Sequence, residues 1–165
     1  MEINVLIDEG FEGRLEESWL QSITEHVLVA EGTSSNAELS LVITGQERVH
    51  QLNRSYRGKD ESTDVLAFSM LPGEKTAGAD LSPFVAPPDG VLHLGEVIIS
   101  YPQAVIQAEE HRHPVEREVT ILIIHGVLHL LGYDHDKTEL ERRMRARETE
   151  ILDSIKQNTT QRGRN

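Results

Sequence analysis

Cysteine is absent from this chain. Disulfides are therefore excluded, and any bound zinc would have to be held by His, Asp or Glu. Positive charge is scarce, with 16 Lys and Arg against 28 Asp and Glu and a formal net charge of −12. Such an acidic excess disfavours non-specific binding to nucleic acid or to an anionic membrane, yet leaves room for a local basic patch. Long apolar runs are missing too. The longest, Val119 to Leu131, contains two histidines and is too short to span a bilayer. Met1 to Gly10 is strand-like and acidic, with no basic stretch leading into an apolar one, so no signal peptide is expected. Together these absences point to a soluble cytoplasmic protein with no membrane partner.

What is present suits one compact unit. Apolar residues make up 38% of 165, enough for a core. One domain is expected over 1–157, with a frayed, disordered tail at 158–165 that has no apolar residue. Ile3, Val5 and Ile7 alternate with polar residues and predict a strand. Leu15, Trp19, Ile23 and Val27 follow at helical spacing, and Leu39, Leu41 and Ile43 make a second strand. Thr44 and Glu47 read as a capping box opening a helix that carries Val49, Leu52 and Tyr56 on one face and ends at Gly58. Val65 to Met70 predicts a fully buried third strand. Leu71 to Gly90 reads as a long hairpin-like excursion, and Val91 to Ile99 as a fourth strand. Ser100 is the expected N-cap of the next helix, with Pro102 in its first turn. Pro114 opens a central helix that is apolar on nearly every side. Thr138 and Glu141 form another capping box before a last helix, with Leu140, Met144, Ile151 and Ile155 inward. The expected fold is α/β (α+β): a small mixed four-stranded sheet packed with about five helices around a central buried helix.

The chemistry concentrates in Ile121 to His135, ILIIHGVLHLLGYDH. His125 and His129 are four apart, so a helix stacks them one turn from each other on one face. Gly132 follows where a helix end needs positive φ, and His135 lies on the returning chain. Two such imidazoles in apolar company each need a polar partner, and a shared metal would satisfy both. Three histidines would leave the fourth position of one zinc ion open, as in a catalytic site. The remaining histidines, among them His26, His50, His111 and His113, read as ordinary polar positions. The spacing H-x3-H-x5-H matches the zinc signature of metzincin proteases, with one departure. Those enzymes carry a glutamate base after the first histidine, and here that residue is Gly126.

Arg57, beside Gly58 and Lys59, gives a positive edge to an acidic protein. Its planar guanidinium suits a phosphate, by analogy with known phosphate sites. Arg54 and Lys59 are candidates for neighbouring phosphates, and Asp134 for orienting a ligand histidine. Arg142, Arg143, Arg145 and Arg147 alternate with glutamates at ion-pair spacing and read as a solvated helix face.

Three blocks in order resemble the YbeY family, bacterial single-domain endoribonucleases of ribosomal RNA maturation. They are Leu52 to Asp60 followed by Thr63 to Leu66, then Leu94 to Ser100, then His125 to His135. Glu96 stands where the family commonly has aspartate, and Ala67-Phe68-Ser69 where Ser-Phe-Pro is frequent. The resemblance implies a zinc-dependent, single-strand-specific endoribonuclease acting at the 3′ end of small-subunit ribosomal RNA and in ribosome quality control. It implies one Zn2+ per chain on His125, His129 and His135, and Arg57 as the essential arginine. It also implies the small ribosomal subunit and assembly factors such as the Era GTPase as partners. The residues leave the nucleophile open between water and the RNA 2′-OH. Two other readings stay open: a metallohydrolase with another substrate, and a ribosome-assembly factor in which zinc only holds the fold.

Overall fold

The alternation of Ile3, Val5 and Ile7 with polar neighbours produces β1 (Glu2–Ile7), half-buried on every second residue. In the computed structural model, residues 1–70, 90–133 and 138–163 are described, without the side chains at 138, 140 and 156–163. Helix α1 (Glu17–Ala30) leads to β2 (Ala37–Thr44), α2 (Gln46–Arg57) to β3 (Val65–Ser69), and β4 (Leu92–Ser100) to α3 (Tyr101–His111), α4 (Val115–Leu130) and α5 (Thr138–Gly163). The sheet order is β1-β2-β4-β3, with β1, β2 and β4 parallel and β3 antiparallel at the edge. This is the expected mixed α/β fold.

Strand alternation divides the sheet into two unequal faces. Leu39, Leu41, Ile43, Val97 and Ile99 face the larger core, which receives α1, α4 and α5 through residues such as Leu20, Val27, Ile123, Val127, Met144 and Ile151. Val42, Ile98 and Leu66 face the other side, where α2 supplies Val49 and Leu52. Helices α2 and α4 thus lie on opposite faces. Helix α4 is buried along most of its length, including Val119, Ile123, Ile124, Val127 and Leu128.

A bulge shapes β4. Glu38 pairs with His93 and Leu39 with Gly95, so Leu94 is the extra residue. Gly95 has φ +131°, and a Cβ there would lie 2.0 Å from the Phe68 carbonyl oxygen of the neighbouring strand. Gly95→Ala combines backbone strain with a collision against main chain, and we expect it to lower stability by about 2–4 kcal/mol. Urea unfolding checks this, and a midpoint equal to wild type refutes it.

Several sequence expectations are corrected. The third strand is not fully buried: β3 is an edge strand in which only Leu66 is buried, because one flank has no further strand among the described residues. Thr44 does not cap α2. It remains in β2, its hydroxyl donates to the Asp8 carboxylate, and Gly45 takes the cap position without a side-chain bond. Tyr56 is exposed rather than inward, since the small core of that sheet face is exhausted before the last turn of α2, and its ring meets Phe68 edge-on at 5.6 Å. Helix α5 continues to Gly163, into the stretch expected to fray. The second capping box needs the Thr138 side chain, which lies outside the described residues, as do the side chain of Leu140 and most of the positions assigned to the 71–90 excursion. Ser100 does cap α3, accepting from the Gln103 N–H at 3.3 Å.

Candidate active site

Helix α4 brings His125 and His129 together at half-buried positions, ring centroids 4.7 Å apart and 66° between planes. The helix stops immediately beyond them. Tyr133 N–H donates to the Leu128 carbonyl and Gly132 N–H to the His129 carbonyl, with Gly132 at φ +105°. This paired closure is a helix end that glycine permits. It is braced from α1 and α5: Arg147 donates from Nε to Glu31 at 2.7 Å and from a guanidinium nitrogen to the Ala30 carbonyl at 3.1 Å. Burial, together with the Glu31 carboxylate beside it, pushes the Tyr133 hydroxyl above its ordinary pKa. Arg147 is therefore pinned, whereas Arg143 and Arg145 make the expected exposed pairs with Glu139 and Glu141. Asp134 and His135 lie outside the described residues.

Glu148 joins this pair, a residue not expected there from the sequence. Its Oε2 accepts from His125 Nδ1 at 3.4 Å, both side chains about one quarter exposed. A signal was present. Met144, Glu148, Ile151 and Ile155 share one helical stripe, and a carboxylate inside an apolar stripe asks for a partner. Two imidazoles one turn apart, with a carboxylate setting the tautomer of one, form a donor set that fits a zinc-class ion.

Gly126 faces the sheet. A Cβ there would lie 2.6 Å from Val97 Cγ1 and 3.3 Å from Val65 Cγ2. The position after the first histidine is thus packed, with no room for a larger residue.

Arg57 ends α2 and is exposed, as are Arg54 and Lys59. They sit at the end of a helix on the opposite sheet face from α4, with β3 as the edge between them. The sequence did not reveal how the loop after α2 is held. Buried Asn53 donates from Nδ2 to the Glu61 carbonyl at 2.9 Å and accepts the Lys59 N–H on its own carbonyl at 3.3 Å. Asn53 thereby fixes the segment bearing Lys59. Exposed Tyr56 and its partner Phe68 add an aromatic surface beside these cations.

A further group lies at the other end of α4. His111 and His113 both approach Oε1 of Glu118, at 2.9 and 2.6 Å, and Gln107 donates to Oε2 at 2.9 Å. Burial alone would push this carboxyl up. The hydrogen bonds from His111, His113 and Gln107, with the charge of His111, overcome it and hold Glu118 below the usual carboxylate range. His111, His113 and Glu118 could hold a metal ion. The sequence marks both histidines as ordinary polar positions, and the structure instead turns both onto one buried carboxylate. H-x-H five residues before a glutamate that lies on the buried side of a helix was the available signal.

A mixed sheet around a buried helix with paired imidazoles defines a small α/β scaffold suited to metal-assisted chemistry. The chain belongs to the endoribonuclease YbeY family, whose description matches residues 8–156. It is 46% identical over 160 residues to endoribonuclease YbeY of Dehalococcoides mccartyi, covering 95% of this chain and 91% of that one. It is 43% identical over 148 residues to endoribonuclease YbeY of Pelotomaculum thermopropionicum, covering 90% and 88%. The solution structure of TM1509 from Thermotoga maritima has the same fold, with a TM-score of 0.54 at 24% identity over 94% of this chain and 93% of that one. Among the described residues no helix is long and apolar enough to cross a membrane.

Proposed function

We propose that this chain is a zinc-dependent endoribonuclease that cleaves single-stranded ribosomal RNA at the 3′ end of the small-subunit species and acts in ribosome quality control. We infer a cytoplasmic setting, with the small subunit and assembly factors such as the Era GTPase as partners. Family membership supports the RNA substrate. The single observation that carries the metal is the imidazole pair on α4 with Glu148 behind His125. One Zn2+ would be held by His125, His129 and His135, and when bound it supplies a Lewis acid for the phosphodiester.

The remaining roles belong to side chains. Glu148 keeps the proton of His125 on Nδ1, which makes Nε2 the ligating atom, and Asp134 is proposed to orient His135. Arg57 meets the negative charge that develops on the phosphoryl oxygens, and Arg54 and Lys59 hold adjacent phosphates. Tyr56 and Phe68 offer faces on which unpaired bases stack. Because α2 and α4 occupy opposite faces, a strand touching both Arg57 and the histidines crosses the β3 edge. That path suits a flexible single strand better than a duplex.

Cleavage of a single-stranded RNA with the sequence of the ribosomal 3′ end, with and without chelator, tests the reading alongside thermal unfolding. Chelation should abolish cleavage, and added Zn2+ should restore it. Full cleavage in chelator refutes the metal dependence. A chelator-sensitive melting temperature without any cleavage at all would instead make zinc a structural element of a non-catalytic assembly factor.

A further inference from the structure

The cleavage chemistry leaves His111, His113 and Glu118 unused, although their ligating atoms lie within 4.8 Å of one another. A carboxylate has about four lone-pair sites, and two N–H donors could be shared between its oxygens. Here both imidazole nitrogens aim at Oε1, while Gln107 holds Oε2 from behind. Three donor atoms from α3, the α3–α4 link and α4 converge on one point. We propose that His111, His113 and Glu118 bind one divalent transition-metal ion of the zinc class, distinct from the ion assigned to the α4 histidine pair.

The site has the parts such a centre needs. Two imidazoles and a carboxylate are a zinc ligand set that leaves a position for water. Imidazole nitrogens turn the choice away from magnesium and calcium, which prefer oxygen. The Glu118 side chain is only 3% exposed, and its orientation is set by Gln107, which also donates to Asp64 at 3.3 Å and accepts from Gln103 at 3.2 Å. Fixing a ligand from outside in this way is how metal sites are pre-organised. His111 is 56% exposed and His113 16%, so an ion has a way in from solvent. Zinc bonds of roughly 2.0–2.1 Å place ligand atoms about 3.3 Å apart, so the rings must withdraw by roughly half an ångström. The exposed ring has room to do so. Arg112, in the left-handed region at φ 55°, reverses the chain between the two histidines and lets both rings face Glu118.

This ion is not half of a two-metal active site. Glu118 precedes His125 by seven positions on α4, about 10 Å along the axis. Paired catalytic ions lie roughly 3.5–4 Å apart. The second ion instead ties α3 to the start of the helix that carries the histidine pair, and would stabilise that corner.

Calorimetric titration of the metal-free full-length protein with Zn2+ at neutral pH tests this, with metal content measured after gel filtration. Wild type should take two ions per chain. His111→Ala, at an exposed position that leaves folding intact, should take one, the lost ion binding at least about tenfold more weakly. His129→Ala should keep the ion at Glu118, and adding His111→Ala to it should abolish binding. Co2+ titration should show one fewer visible-absorbing site in His111→Ala. Identical titrations of wild type and His111→Ala overturn the proposal. The His111 comparison decides this site alone, and the His129 comparison decides the active site alone.

Discussion

His129→Ala and Arg57→Ala proteins of verified fold should each lose RNA cleavage by at least about 10²-fold. They should do so for different reasons, and the two signatures separate metal from phosphate chemistry. His129 is half-buried against His125, so its removal takes a ligand from the proposed ion, and zinc content should fall with activity. Arg57 is exposed at the end of α2 and makes no part of either core, so Arg57→Ala should melt like wild type and keep its zinc. Its loss should fall on kcat, as expected for a contact that strengthens in the transition state. Arg57→Lys should rescue poorly, because an ammonium cannot meet two phosphoryl oxygens with a planar fork. Unchanged cleavage in both variants would sink the mechanism. Loss in His129→Ala with full activity in Arg57→Ala would keep the metal and remove the arginine.

Much of this molecule is legible in its residue order, for a physical reason. Periodicity reports which side of an element is buried, so the four strands, the central helix and the inward positions Met144, Ile151 and Ile155 could be read directly. Periodicity does not report how far the neighbouring surface extends. Tyr56 falls on the right stripe of α2 but beyond the small core beneath it, and β3 is apolar yet lies at an edge. Capping patterns are weaker still. A tertiary acceptor took the Thr44 hydroxyl, while Ser100, two residues before Pro102, kept its local role. The site divides in the same way. The i, i+4 spacing of His125 and His129 is a local fact and survives folding. The approach of Glu148 to His125, and of Glu118 to two histidines across a helix corner, depends on how helices pack. Both glutamates interrupt an otherwise buried stripe, and that interruption is the trace packing leaves in a sequence.

Gly126→Glu completes an H-E-x-x-H pattern from His125 to His129, and the motif alone would predict a gain of peptide hydrolysis. The structure predicts loss of the fold. A Cβ at 126 already meets Val97 Cγ1 at 2.6 Å and Val65 Cγ2 at 3.3 Å, and Val97 is fully buried with a stiff, branched side chain. A glutamate there adds bulk to a closed interface and drives a carboxylate into it without a partner. Such terms together exceed about 5 kcal/mol, comparable to the whole stability of a domain this size. Gly126→Ala separates the two contributions. It should cost about 1–3 kcal/mol of overpacking, offset by about 1 kcal/mol of helix propensity, and Val97→Ala should relieve most of the remainder. Thermal unfolding, solubility and a peptidase assay provide the readouts. A Gly126→Glu protein that melts like wild type would show that α4 stands farther from the sheet than these contacts require. A folded variant with peptidase activity would mean that position 126 reaches the histidines after all. Collapse without activity would show that this glycine is held by the packing of α4 on Val65 and Val97, so the helix that carries the histidines sits close to the sheet only because no proton-transfer group occupies that place.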